Sequence, residues 1–544
     1  MLTAASSGIT TGPVLRLPRV SVQSLSSPRC RSVALLLLYV ALGAVTRLVV
    51  SQVDVINVDE ASYMVGASEL MRGNLPYASF GDNKPPLIYL FYAFAQLVAG
   101  GGIGAVRLVT ALAVVPATAF AISAFYRHDR RGVTAAVLFL VYSAAYTASD
   151  MLAVNCEVLM MLPLAWALVA VNRPGRARHA GWVFAAGLLI GVAALVKYQA
   201  GLWVPAIALA VVYASWTDPR RRLIVVLTAM GLGLALPVLV TVTWFGLAGG
   251  LDGLVYWNVT HNLEYLQNPI SAWDAAARGA SRVGPFLAVT AVLWYGWLRA
   301  STCGVSRYWE LLTASLIGAS AAAACLGFRF FPHYFIQLYV PLTVAAAPWT
   351  ARALRWPLRA PGWAVATATV AICAGWTVSN VNRLHANTAP RLNAPAEAVA
   401  DRLQADRCYG DSSLFVWGSA PEFYYHAGLP LASQFFFPEY PLVRYYAGNP
   451  VATAARVGNG RRTRRIRRWS RLMNDLRTSR PTFILDTAPS GIARWQHFPV
   501  RDYPLLQRFI HRHYTHIDTV SNVAIYRRTD CTPVADSRPD DAPR

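Results

Sequence analysis

This chain of 544 residues is short of charge, and shorter still of acid. Only 14% of its residues are charged, where a soluble globular protein carries about 25%. Asp and Glu together number 27, against 49 Lys and Arg. Other absences exclude whole classes. There is no glycine-rich nucleotide loop and no Walker motif, so ATP-driven transport has no support. No internal repeat is visible. The seven cysteines (Cys30, Cys156, Cys303, Cys325, Cys373, Cys408 and Cys531) show no metal-ligand spacing. No small-residue cleavage site follows the first apolar block, so that block is expected to stay as a span rather than leave as a signal peptide.

What is there is apolar. Hydrophobic residues make up 55% of the chain, and the mean hydropathy is +0.37. They come in blocks of roughly 17–25 residues, long enough to cross a bilayer core as helices. The expected fold class is an all-α polytopic membrane protein. The net charge of +22 does not point to nucleic acid, because most Lys and Arg sit in short loops between apolar blocks.

The first span is expected over Ser32–Val50, after a basic tail (1–31) containing Arg16, Arg19, Arg29 and Arg31 and no acid. That tail belongs in the cytoplasm. The block Pro85–Ala99 is ambiguous. As a span it would put "RHDRR" (127–131) and every later basic loop outside. As a juxtamembrane or re-entrant segment it leaves Gly104–Tyr126 as the second span, and "RHDRR", "RPGRARH" (173–179), "DPRRR" (218–222), "STCGVSR" (301–307) and "RALRWPLR" (352–359) all fall inside. We adopt the second assignment. Further spans are expected at 132–148, 157–172, 181–196, 200–216, 223–248, 284–300, 309–327, 334–350 and 362–380. The total is about eleven. The transmembrane module then runs over 32–380, with a first outer loop at 51–103.

Residues 381–544 are polar and punctuated by Pro and Gly. Strand-like runs ("SSLFVWG", "PTFILD", "NVAIYRR") alternate with helical ones ("APAEAVADRLQ"), which predicts a small extracytoplasmic α/β domain. Cys408 and Cys531 both fall in it, where a disulfide is chemically reasonable but not required. The basic run "GRRTRRIRRWSRL" (460–472) reads as a surface for anionic headgroups or an acidic glycan, or as a solvated helix face.

The chemistry gathers on the expected outer side. Asp59 and Glu60 follow the first span, and acids at a membrane interface are costly unless used. Their bland role is to cap the helix that "DEASYMVGASELM" begins. Lys84 precedes a stiff Pro-Pro step and suits a phosphate as a point charge, or it is an interfacial lysine that snorkels. Asp150, Asn155, Glu157, Lys197, Tyr198, Gln199, Arg329, His333 and Tyr334 lie at span ends on the same side. Each alone is an ordinary helix-end residue. Acids and bases converging on one face beside lipid suit a reaction on a lipid-phosphate substrate.

The stretch "VDEASYMVGASELMRGNLPYASFGDNKPPLIYLFYAF" resembles the first outer loop of GT-C superfamily glycosyltransferases that use polyprenyl-phosphate sugars, among them the protein O-mannosyltransferases, the lipid A aminoarabinose transferase and the lipopolysaccharide galacturonosyltransferases. The shared features are the acidic pair, a tyrosine soon after it, and "KPPL". "NCEVLMMLP" is similar to the second acidic motif of that superfamily, and "GVAALVKYQAGLWVP" to its Lys-Tyr or Lys-Gln segment. "FRFFPHYFIQLYVPL" and "VWGSAPEFYYHAGLP" resemble later landmarks. The resemblance covers about residues 32–350 well and the tail weakly. It implies that Asp59 is the catalytic carboxylate, Glu60 its neighbouring acid and Glu157 the second acid, where several relatives have Asp. It implies that Lys84 engages the donor phosphate, with His333 and Arg329 near it.

The chemistry agrees with these roles. A sugar on a polyprenyl phosphate leaves well once the phosphate charge is neutralised, by Lys84 with Arg329 or Lys197. Asp59 takes the proton of an incoming hydroxyl. The acidic pair also suits a divalent cation, Mg²⁺ or Mn²⁺, though its spacing does not require one. The expected protein is therefore a multi-pass enzyme of the plasma (inner) membrane. It takes a polyprenyl-phosphate sugar and an extracytoplasmic glycan, lipid or protein acceptor, and no nucleic acid. The rival is a flippase for lipid-linked sugars, which would line its cavity similarly but is usually built from inverted repeats with midplane sites.

Overall fold

The computed structural model describes residues 28–266, 271–354, 371, 374–410, 412–438 and 459–531. Most of the basic tail and most of the expected span 362–380 lie outside them.

Two layers of polar contacts bound the helical part. In one, the Arg31 guanidinium donates to His128 O (2.7 Å), Arg130 to Leu354 O (3.1 Å) and Arg352 to Thr302 O (3.2 Å). Tyr308 Oη donates to Val171 O, and Trp309 Nε1 to Tyr126 Oη. Basic loops far apart in sequence thus form one face. The first helix runs from this face, Pro28–Arg47, and a short turn carries it to Val50. The helix Ile103–Phe125 returns to the basic face. At the far end Arg107 donates to Val50 O at 2.8 Å, so the chain leaves and re-enters on the same side. The helix Leu87–Ala99, of 13 residues, lies between these two points of the chain.

Four described helices are long and apolar enough to span a bilayer: Pro28–Val50, Ile103–Phe125, Arg220–Leu247 and Arg307–Phe328. The remaining apolar segments are shorter than expected from the sequence. Cys156–Ala170 and Ala180–Ala194 have 15 residues each, or about 22 Å of helix. Non-helical turns at 152–155 and 195–197 complete their path. The expected span 284–300 is a helix Ala272–Val289 that breaks at Thr290 and resumes over Ala291–Ala300. A span predicted from hydropathy is thus not always one continuous helix, because apolarity continues through breaks in the backbone ladder.

Close packing uses glycine at one crossing. Gly187 and Gly191 lie four apart on one helix face and meet Arg220–Leu247. A Cβ on Gly187 would sit 2.2 Å from Met230 O, and one on Gly233 2.2 Å from Phe184 O. Small residues at this spacing let two helix backbones touch where lipid offers no hydrophobic drive.

The C-terminal part is α/β. Four strands, β1 (Leu414–Trp417), β2 (Phe483–Asp486), β3 (Tyr514–Val520) and β4 (Val523–Arg528), form one sheet in the order β1-β2-β4-β3. β1 and β2 are parallel and the other pairs antiparallel. The two parallel strands, β1 at the edge and β2 inside the sheet, are both buried throughout. Cys408 and Cys531 are joined by a disulfide. The domain sits on the far face: Gly81 N donates to Gln434 O (2.8 Å), Arg72 to Gly428 O (2.8 Å) and Asn393 to Val55 O (2.8 Å).

Candidate active site

Asn57 starts the site. Its backbone is extended and its side chain accepts from Asp59 N at 2.9 Å, capping the helix Val58–Met71. Asp59 and Glu60 are neighbours on that helix, so their side chains diverge by about 100°. Asp59 faces a cavity. Glu60 points inward and is fully buried. It takes Arg107 Nη2 at 2.6 Å and Nε at 3.2 Å, together with Val154 N at 2.9 Å and Ile56 N at 3.3 Å. The two acids therefore face different surroundings, Asp59 the cavity and Glu60 the interior.

Lys84 is presented by the segment before Pro86, where the helix Leu87–Ala99 begins. Leu87 N donates to Leu195 O (3.1 Å), which brings this segment beside the Lys197 turn. Tyr77 Oη donates to Lys84 O at 2.6 Å. The ammonium donates to Asn83 Oδ1 at 3.1 Å, with Asp82 Oδ1 at 3.8 Å. Asp82 is itself held by the Tyr89 hydroxyl at 2.7 Å.

Opposite, Lys197 forms a buried ion pair with Glu157, its ammonium 4.1 Å from the centre of the Tyr334 ring. Glu157 lies in the first turn of its helix. His333 stands between two carboxylates: Nδ1 is 2.9 Å from Asp150 Oδ1 and Nε2 is 3.8 Å from Asp59 Oδ2. Asn155 donates to Asp150 O at 2.9 Å and so fixes the turn that carries Asp150.

Asp59, Lys84, Asp150, Lys197 and His333 line one cavity of about 800 Å³. Its other wall is apolar, with Leu202, Leu263, Leu326, Phe331 and Phe437. Burial works to raise the Asp59 carboxyl, but Lys84, His333 and Lys197 outweigh it and hold the group below its ordinary value. Burial likewise opposes charge on His333. Glu157 and Asp150 overcome it and raise the imidazole above its ordinary value. An ionised carboxylate thus faces two lysine ammonium groups and an imidazole across a space with a greasy side. Such a cavity can deprotonate a hydroxyl beside an anionic group that carries an apolar chain.

Glu60, Glu157 and Arg329 are not among the lining residues. Arg329 is buried on a tight turn, between Phe328 (φ 53°) and Phe330 (φ 49°). Two non-glycine residues in the left-handed region mark a segment held against its local preference by its surroundings. The sequence reading passed over Arg107, Asp82, Asn258 and Asn262. Arg107 carried a signal, as a lone charge within an apolar span. Asn258 and Asn262 carried another, since amides four apart in a loop adopt one face once that loop is helical. Asn262 donates to Asn83 O at 3.0 Å.

Two known structures share this architecture over nearly their whole length. One is ArnT from Cupriavidus metallidurans bound to undecaprenyl phosphate, with a TM-score of 0.58 and 14% identity, covering 90% of this chain and 97% of that one. The other is the same protein in the apo state, with a TM-score of 0.53 and 15% identity, covering 91% and 98%. The chain has a GT-C fold. Residues 83–245 also match the family model described as dolichyl-phosphate-mannose-protein mannosyltransferase. No curated protein sequence matches. Within the GT-C fold, the family match takes in Lys84, Asp150, Glu157 and Lys197. Asp59 and His333 lie outside it and join the site through the tertiary structure.

Proposed function

We propose that this chain is an integral-membrane glycosyltransferase. It moves a sugar from a polyprenyl-monophosphate donor to a hydroxyl presented on the extracytoplasmic face of the plasma membrane. The observation that carries this reading is the amphipathic cavity, where Asp59 faces Lys84, Lys197 and His333 beside an apolar wall. The family match and the likeness to a fold solved with undecaprenyl phosphate support it.

The acceptor oxygen attacks the anomeric carbon as the bond to the phosphate oxygen breaks. Asp59, held ionised by its cations, takes the hydroxyl proton. The polyprenyl phosphate leaves with the bonding pair, and Lys84, with Lys197 and His333, stabilises its charge. Asp150 orients the imidazole and Glu157 orients Lys197. A single displacement predicts inversion at the anomeric carbon. Glu60, held by Arg107 and two backbone amides, fixes the rotation of the helix that presents Asp59.

The test is transfer in proteoliposomes. Radiolabelled polyprenyl-monophosphate sugars are offered with crude envelope acceptors to wild type, Asp59→Asn and Lys84→Ala. We expect losses of about 10²–10⁴-fold in Asp59→Asn. Transfer that survives both substitutions, or donor lipid that crosses the bilayer unchanged, refutes the assignment and favours a flippase.

A further inference from the structure

A second cluster lies where the C-terminal domain meets the first loop. Asp54 comes from the segment between the first helix and Val58–Met71. Glu397 comes from the helix Ala389–Gln404, and His426 from the helix Glu422–Ala427. One ligand atom from each lies within 4.8 Å of the other two. This convergence of two carboxylates is unusual in a chain with nearly twice as many bases as acids.

The hydrogen bonds around the cluster fix the imidazole. Asn393 is buried, and its amide nitrogen donates to Val55 O (2.8 Å) and Ala389 O (3.0 Å). Its oxygen therefore faces His426 Nε2 at 3.1 Å. In this bond Nε2 is the donor and Asn393 Oδ1 the acceptor. Nδ1 is turned toward Asp54, 3.8 Å from Oδ2, and the imidazole is only 9% exposed. A cation between Nδ1 and the two carboxylates would satisfy all three ligand atoms, the alternative being a proton on Nδ1. An imidazole whose other nitrogen donates to a fixed acceptor is the usual arrangement for a metal ligand. Arg107 donates to the backbone oxygen of Asp54 at 3.0 Å, and its charge is matched by Glu60. Two ligand atoms on a tetrahedral zinc ion stand roughly 3.4 Å apart. The observed spacing needs only a small contraction of side chains, one of them exposed.

We propose that Asp54, Glu397 and His426 bind a zinc-class divalent cation that clamps the C-terminal domain to the first loop. The imidazole ligand selects against Mg²⁺ and Ca²⁺, which prefer all-oxygen sets. The clamp holds the segment 54–57, whose last residue caps the Asp59 helix, so the site bears on the geometry of the cavity without entering it.

The test uses the full chain in detergent, untagged and stripped with chelator. Metal content is measured after Zn²⁺ loading, and binding of Zn²⁺ or Mg²⁺ is followed by calorimetry and by melting temperature. The expected result is one Zn²⁺ per chain and a raised melting temperature, with no response to Mg²⁺ at the same concentration. Glu397→Gln, at an exposed position that leaves the fold intact, should weaken Zn²⁺ binding at least tenfold. Asn393→Ala, which frees the imidazole, should weaken it about 10–100-fold. The proposal is overturned if the wild type takes up no stoichiometric Zn²⁺, as an imidazolium–carboxylate ion pair alone would predict. It is equally overturned if Glu397→Gln binds Zn²⁺ like the wild type.

Discussion

Replacing Glu60 by Gln tests how the site is supported from behind. The Glu60 side chain has no solvent exposure and that of Arg107 only 2%. The carboxylate receives Arg107 through two nitrogens and also two backbone amides, of Val154 and Ile56. Gln keeps the shape but removes the charge. It also turns an NH₂ toward at least one of these donors. Removing one partner of a buried pair costs about 3–5 kcal/mol, because the other charge is left uncompensated. Arg107→Met should cost more than Glu60→Gln. It strands the carboxylate and also deprives Val50 O and Asp54 O of donors at 2.8 Å and 3.0 Å, each loss adding about 1 kcal/mol. The double variant should cost clearly less than the sum of the two, since each single change already breaks the pair. Thermal melting in detergent, read by tryptophan fluorescence, gives the order directly. Glu60→Gln that melts with the wild type yet transfers no sugar would refute the reasoning and place Glu60 in the chemistry.

Three further outcomes follow from the same structure. Asp59 lies below its ordinary pKa of 3.8, so the stability it contributes is present above that value and is lost as pH falls through the lowered one. His333 lies above 6.5, so its contribution is complete below 6.5 and fades as pH rises through the raised value. Transfer rate should therefore decline on the alkaline side, and His333→Gln, already slower, should lack that decline in a pH profile. Gly187→Val places a Cβ against Met230 O, 2.2 Å away, and should reduce the yield of monodisperse protein on size exclusion, whereas Gly231→Ala, with open space around it, should not. Cys408→Ser with Cys531→Ser opens a bridge across 123 residues and should destabilise the C-terminal domain by about 2–5 kcal/mol, visible as earlier proteolysis of that domain.

Much of this protein is legible without its structure. Low charge, long apolar blocks and basic loops determine a helical membrane module, because a bilayer leaves the backbone few other options. The change to short strand-like runs after 381 determines an α/β tail, because alternation and turn residues act over a few positions. Asp59 and Lys84 stand out for the same reason, one beside a helix start and the other before two prolines. The remainder was decided by packing. Which acid of the 59–60 pair faces the cavity depends on the rotation of one helix, set by Arg107 from a span 47 residues away. His333 meets Asp150 across 183 residues, and Asp54 meets His426 across the boundary between loop and domain. Local pattern specifies an element and its exposed face. The partner of a buried charge is selected by desolvation in the assembled fold, where an unpaired ion costs several kcal/mol, and no short window of sequence records which distant residue meets that requirement.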